Sequence, residues 1–211
     1  MASLHLGDTA PDFTSPSTEG DISFLDWKGD SWAVFFSHPA DYTPVCTTEL
    51  GRVAQLSDEW DKRNTKVIAL SVDSVDDHKS WIPDVEEVSK TTIRYPIIAD
   101  PDKKVAELYD MIHPGEGNAS SVRSVFIIGP DNLIKLTLTY PKSVGRNFDE
   151  ILRVLDALQL ADSGPFATPV DWRPGDRAIV VTDIPTDQAK EIFPDLDVVK
   201  PYLRYTSKTS V

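Results

Sequence analysis

The sequence predicts a three-layer α/β sandwich built on a mixed sheet, with a small α+β extension at its C-terminal end. Three patterns carry that prediction. Short apolar runs of strand length alternate with stretches of helical period over the first 110 residues or so. Two further apolar runs flank the turn cluster Gly129-Pro-Asp-Asn132 and read as an antiparallel hairpin, followed by one more amphipathic stretch. Beyond Pro165 the periodicity fades and prolines recur at 165, 169, 174, 185, 194 and 201.

Taken in order, residues 1 to 30 form an entry segment in which Asp21-Ile-Ser-Phe-Leu25 alternates like a strand before a turn at Lys28-Gly-Asp30. Trp32-Ala-Val-Phe-Phe-Ser37 is a buried strand. The helix after it, to about Arg63, carries Leu50, Val53, Ala54 and Trp60 on one face. Lys66 to Val72 is a second buried strand. Asp73 to Val88 brings Val75, His78, Trp81, Ile82 and Val85 to one helical face, with Pro83 as a kink point. Tyr95 to Ala99 is a brief strand, and Asp100-Pro101 offers an N-cap and first-turn pair for a helix to Tyr109. Ser124 to Ile128 and Leu133 to Thr139 are the hairpin strands. Asn147 to Leu160 closes the domain, with Ile151, Leu152, Val154, Leu155 and Leu158 on a broad apolar face.

The composition shift at Ala161-Asp-Ser-Gly-Pro165 marks a boundary between a domain at 1–165 and an extension at 166–211. In the extension only Ala178 to Thr182 reads as a strand and Asp187 to Phe193 as a helix. A segment so poor in periodic apolar residues needs another surface to cover, and Trp172, Phe193, Tyr202 and Tyr205 are costly to leave wet.

Composition excludes several classes of function. The net charge of −13 and the lack of any basic run argue against nucleic acid and anionic membranes as partners. No apolar run approaches the ~18 residues of a membrane span, so no stable membrane association is expected. The N-terminus shows neither the basic start nor the apolar centre of a secretory signal, which makes the cytoplasm the expected address. His5, His38, His78 and His113 stand far apart in sequence and do not pair with the cysteine at metal-ligand spacing, so neither a metal nor a cofactor is expected. Gly115-Glu-Gly117 reads as a surface turn, and Asn118-Ala-Ser120 as a chance glycosylation signal.

The functional reading begins at His38-Pro-Ala-Asp-Tyr-Thr43-Pro44-Val-Cys46-Thr-Thr-Glu49-Leu50, which holds the single cysteine. Cys46 falls in the first turn of a helix, where free amides and the positive dipole end favour a thiolate, the nucleophilic form. Thr43 offers a hydroxyl three positions earlier, and Pro39 and Pro44 restrict the loop. A cysteine serving only as a small core hydrophobe needs none of these neighbours.

Pro39-x-x-x-Thr43-x-x-Cys46, extended from His38 through Arg52, resembles the active-site pattern of the peroxiredoxins and in particular the one-cysteine, peroxiredoxin 6-like subfamily. The resemblance continues over nearly the whole chain, through Ser121-Val-Arg123-Ser-Val-Phe, Tyr140 to Ile151, Ala167 to Trp172 and Tyr202 to Thr206. It implies a thioredoxin-like fold and a thiol peroxidase acting on hydrogen peroxide and alkyl hydroperoxides through a sulfenic acid at Cys46. It also implies that Arg123 holds both thiolate and peroxide, that Arg146 is a second active-site arginine, and that the extension serves a homodimer. Glu49, one turn after Cys46, is placed to orient either arginine, and His38 to donate to the sulfur or line the pocket. With no second thiol in the chain, the sulfenic acid must be recycled by an external thiol or another reductant. Mammalian members of the subfamily also carry a phospholipase site; here Ser31 and Asp131 match, but Leu25 stands where its histidine is expected, and leucine takes no proton from serine.

Overall fold

The structure, a computed structural model, describes residues 3–117 and 119–209. Asn118, the first residue of the apparent glycosylation signal, lies outside them. The chain divides into two compact units, Met1–Phe148 and Asp149–Val211. The division falls earlier in the chain than the composition shift at 161–165. The composition shift marks where apolar periodicity stops, whereas the unit boundary follows packing, which groups the last long helix with the extension.

The first unit opens on a hairpin, β1 (Thr14–Ser17) and β2 (Gly20–Ser23), then the short helix α1 (Phe24–Lys28). Phe24 and Leu25, expected at the end of a strand, begin this helix instead, because the outward alternation ends at Ser23. β3 (Trp32–Ser37) leads into α2 (Pro44–Gln55) and α3 (Ser57–Lys62), which replace the single expected helix with two that break at Leu56. β4 (Thr65–Ser71), α4 (Val75–Ser89) and β5 (Ile97–Ala99) follow. α4 starts with a capping box, in which Ser74 and Asp77 satisfy each other's backbone amides, and runs through Pro83.

α5 (Lys104–Leu108) is shorter than expected, since Lys103 sits left-handed just before it. Asp100 nonetheless caps it at a distance, its carboxylate accepting from the amides of Val105 (3.1 Å) and Ala106 (2.7 Å). A single 3₁₀ turn (Pro114–Glu116) precedes the hairpin β6 (Arg123–Ile128) and β7 (Ile134–Tyr140).

These strands form one sheet in the order β2-β1-β5-β4-β3-β6-β7, parallel in β5-β4-β3 and antiparallel elsewhere. Every residue of β3 and β6 is buried, as suits strands covered on both faces. Successive side chains point to opposite faces. Phe35 joins Phe24, Ile68, Leu70, Tyr109 and Phe126 in a core beneath α1 and α5. Phe36, on the other face, meets Tyr95 and Phe148, on the side taken by α2. There α2 lies so close to α4 that a Cβ on Gly51 would stand 2.5 Å from that of Ser89, so only glycine fits.

The second unit begins with α6 (Phe148–Asp162), whose first residue belongs to the first unit. It continues with β8 (Phe166–Ala167), β9 (Ala178–Val180), α7 (Thr186–Ile192), β10 (Asp197–Lys200) and β11 (Leu203–Thr206). Its strands form an antiparallel sheet, β10-β11-β9-β8, over a small core of Phe166, Ala178, Val180, Ala189 and Phe193. β8, β10 and β11 escape the sequence reading because they are short and show no clean apolar alternation. At the centre Arg204, 1% exposed, donates to the carbonyls of Val180, Val181 and Ile184 and so replaces an apolar core residue.

Candidate active site

β3 ends at Ser37, the chain crosses a tight loop, and α2 begins at Pro44. Ser121 Oγ donates to the His38 carbonyl (2.8 Å) and Ser37 Oγ to that of Val122 (2.6 Å), which ties the loop's entry to the segment leading into β6. Tyr42 takes a left-handed conformation (φ 53°), an uncommon and costly one for a tyrosine, which turns the chain into the helix. Thr43 is the extended N-cap residue, yet its hydroxyl donates back to Ala40 O (2.9 Å) rather than capping the helix. The first amides of α2 therefore keep their attraction for an anion, and Cys46 stands in that turn.

Cys46 is fully buried but not surrounded by hydrocarbon. Arg123, the first residue of β6, places Nη1 3.4 Å from its Sγ. The same Nη1 lies 2.7 Å from Glu49 Oε2, while Nε and Nη2 both donate to the Lys142 carbonyl at 2.9 and 2.7 Å. Arg146 completes the group. Its backbone amide and Nε bind Glu49 Oε1 at 2.7 and 2.9 Å, Nη2 binds Oε2 at 2.7 Å, and Nη1 donates to Ser124 O at 2.9 Å. Its guanidinium also lies over the rings of Phe36 and Phe148.

Burial alone would raise the Glu49 carboxyl, but hydrogen bonds and charge from Arg146, with the charge of Arg123, outweigh it and hold the group below the usual carboxylate range. Two guanidiniums thus face one carboxylate. One positive charge is left over in a buried site, beside the sulfur of Cys46.

His38 does not join this cluster by any hydrogen bond to the sulfur. It is fully buried, and its Nε2 lies 2.8 Å from Asp41 Oδ1. Asp41 Oδ2 lies 2.6 Å from His78 Nδ1, and His78 Nε2 lies 3.1 Å from the Ile98 carbonyl. The two imidazoles and the carboxylate are a donor set a divalent cation accepts. Yet separations of 2.6 and 2.8 Å are hydrogen-bond distances, shorter than the ~3.3 Å between neighbouring ligands that follows from zinc–ligand bonds of about 2.0 Å at tetrahedral angles. Protons account for them.

Of the residues singled out in the sequence, Cys46, Arg123, Glu49 and Arg146 therefore come together, and Pro39, Thr43 and His38 build the adjoining loop. Sequence reasoning missed Asp41 and His78. His78 lies 40 residues from His38, on the apolar face of a predicted helix, and Asp41 carries no local signal of its own; a histidine among apolar positions is the one clue. Ser31 donates to Asn64 (3.1 Å) and Asp131 pairs with Lys135 (2.8 Å), so no hydrogen bond links the residues that match a phospholipase site.

Comparison with known proteins supplies the class. The chain matches the AhpC/TSA family over residues 6–137 and the C-terminal domain of 1-Cys peroxiredoxin over residues 157–195. It is 52% identical to a 1-Cys peroxiredoxin of Dictyostelium discoideum, covering 96% of this chain and 85% of that one. It is 48% identical to human peroxiredoxin-6, covering 96% and 97%. Among solved structures, a cysteine-to-serine mutant of peroxiredoxin 6 of Arenicola marina superposes with a TM-score of 0.93 at 48% identity, over 97% and 98% of the two chains. The yeast mitochondrial 1-Cys peroxiredoxin does so at 0.91 and 47%, over 96% and 99%. The fold is the thioredoxin-like one of these proteins, with a small C-terminal sheet added.

The chain belongs to the AhpC/TSA family, and within it to the peroxiredoxin 6-like, 1-Cys peroxiredoxins. It is a thiol peroxidase, and its single cysteine fits the 1-Cys mechanism, in which an external reductant completes the cycle.

Proposed function

We propose that Cys46 attacks the peroxide as a thiolate held by Arg123 and the start of α2. The observation carrying this reading is the Arg123 Nη1 contact on Sγ, made by a guanidinium that Glu49 and the Lys142 carbonyl lock in place. Sulfur bonds to the outer peroxide oxygen, the O–O bond breaks, and the departing oxygen takes a proton and leaves as water or alcohol. Arg123 bears on both charges, the thiolate before attack and the leaving oxygen after it. Thr43, whose hydroxyl proton is engaged with Ala40 O, presents its oxygen to the peroxide O–H. Glu49 and Arg146 position Arg123, and Pro39 and His38 shape the loop.

A thiol then condenses with the sulfenic acid, expelling water, and a second thiol releases Cys46 from the mixed disulfide. The yeast relative's structure is described in terms of resolution through glutathione and thioredoxin systems, and thiols of that class are the reductants we assign here. Since Cys46 is fully buried, this half of the cycle requires the first turn of α2 to open. The enzyme acts in the cytoplasm as a homodimer whose second unit supplies the contact surface. Val170 (89% exposed), Tyr202 (71%), Val198 and Val199 support that role, being apolar side chains left in water on one small unit.

Stopped-flow peroxide consumption tests the assignment. Cys46→Ser and Arg123→Ala are expected to lose turnover and Ser31→Ala to keep it; turnover surviving in Cys46→Ser would overturn the reading.

A further inference from the structure

Beside the arginine cluster lies a second buried group, and hydrogen-bond arithmetic fixes where its protons sit. The Ile98 carbonyl only accepts, so His78 Nε2 carries hydrogen. At 2.6 Å a proton must lie between His78 Nδ1 and Asp41 Oδ2, on one or the other. With no further proton in the group, Asp41 Oδ1 is left accepting, and His38 Nε2 donates to it. In this electrically neutral arrangement His38 has no proton at Nδ1, and Nδ1 is indeed a buried nitrogen without a partner.

We infer that Asp41 and His78 are positioning residues for the peroxidase reaction, which share one proton and thereby keep His38 neutral, with a bare acceptor at Nδ1 in the active loop. The inference rests on the peroxidase reading given above. Two features tie the group to the reaction centre. His38 and Asp41 bracket Pro39 and Ala40, and the Ala40 carbonyl holds the Thr43 hydroxyl at the entrance to α2. His78 and Ile98 anchor that loop to α4 and β5. His38 also lies beside Trp81, which Tyr42 of the same loop faces from outside.

The charged groups facing the cluster are few. Asp73, after β4, accepts from the Asp41 amide (3.0 Å) and from Ser71 Oγ (2.7 Å). α4 contributes His78 and the neutral ring of Trp81, and β5 the Ile98 carbonyl. Burial is the main cause pushing the His38 imidazole below its ordinary range, opposed by the hydrogen bond and charge of Asp41. The shared proton offsets that Asp41 charge. Remove it, and the carboxylate acts on His38 alone and draws a second proton onto Nδ1.

The two partners therefore have opposite effects. In His78→Leu the unshared Asp41 carboxylate favours His38 imidazolium, and the acid limb of kcat/KM for hydrogen peroxide moves to higher pH, with a loss of about tenfold at neutral pH. In Asp41→Asn the amide oxygen accepts from His38 Nε2 and its NH₂ donates to His78 Nδ1, so no charge favours the imidazolium and the acid limb moves to lower pH. ¹⁵N spectra of the histidine rings, of which the chain has only four, report the tautomer of His38 directly. Expected are a neutral ring protonated at Nε2 in the wild type and in Asp41→Asn, and a doubly protonated ring in His78→Leu. Limbs that move together, or not at all, would overturn the proposal, as would a wild-type His38 protonated at Nδ1. A wild type without peroxide turnover would instead refute the underlying reading, and Asp41→Asn, nearly isosteric, keeps the test open should His78→Leu fail to fold.

Discussion

Two buried polar clusters flank the loop that carries Cys46, and they differ in kind. The Arg123–Glu49–Arg146 cluster is built from charges that persist across the neutral range, with every guanidinium fork directed at a carboxylate or carbonyl. The His38–Asp41–His78 cluster is built from two imidazoles around one carboxylate, and burial holds the His38 ring below its ordinary range. The first stabilises the reacting anion across the neutral range. The second sets which nitrogen of His38 carries the proton. A peroxidase needs the former to hold a thiolate and the latter only to keep one acceptor bare, which explains why arginine serves one and histidine the other.

The largest effects should come from the permanent cluster. Cys46→Ser is expected to lower the rate constant for peroxide by several orders of magnitude in stopped-flow assays. Arg123→Ala should cost about a thousandfold, and Arg123→Lys less, because lysine keeps the charge but not the fork that spans Sγ, Glu49 and the Lys142 carbonyl. Arg146→Ala leaves Glu49 short of its main partner in a buried site and should cost about 3 kcal/mol in urea unfolding, a loss of stability exceeding its loss in rate at saturating peroxide.

The titrating cluster predicts a pH signature rather than a loss at all pH values. His38 is held below its ordinary range in the folded state, so the unfolded chain binds the proton more readily. Folding stability should therefore fall as pH drops below an unfolded histidine's value of about 6.5. Glu49, also held low, adds a second loss only at more acid pH, as the native carboxylate is protonated. Urea midpoints measured across pH should show both steps, and His38→Phe should lack the first.

The smallest effect concerns the reductant. A groove of about 510 Å³ beside the first turn of α2 is lined by Tyr42, Thr43, Pro44, Thr47, Trp81, Val88 and the carboxylates of Asp84 and Glu87. No cation lines it. Small cationic thiols should reduce the sulfenic acid a few-fold faster than anionic thiols of equal basicity, a preference that weakens with salt and in Asp84→Asn/Glu87→Gln.

The permanent cluster was largely legible in the sequence, and the titrating one was not. Cys46, Thr43 and Glu49 share one short stretch whose spacing signals a helix start, and Arg123 and Arg146 sit in segments that resemble a family pattern. The histidine cluster joins a loop, a helix and a strand across 60 residues, and no local period encodes such a meeting. The same distinction holds for the fold. β3, β4, β6 and β7 announce themselves as apolar runs, whereas β1 contains Pro16 and polar residues, and β10 and β11 are short strands of mixed polarity, with every residue of β10 exposed. Leu56 breaks α2 from α3 without a glycine or proline to mark the site.

The claim beneath these differences is that a surplus guanidinium charge keeps Cys46 ionised. Ultraviolet titration of the thiolate, taken as the difference between the wild type and Cys46→Ser and repeated in Arg123→Ala, measures it directly. Thiolate absorbance already full at neutral pH in the wild type, and appearing in Arg123→Ala only as pH rises toward the ~8.5 of an ordinary cysteine, is the predicted result. A wild-type protein that gains its thiolate only in that alkaline range, or an Arg123→Ala curve that overlays it, would contradict the account.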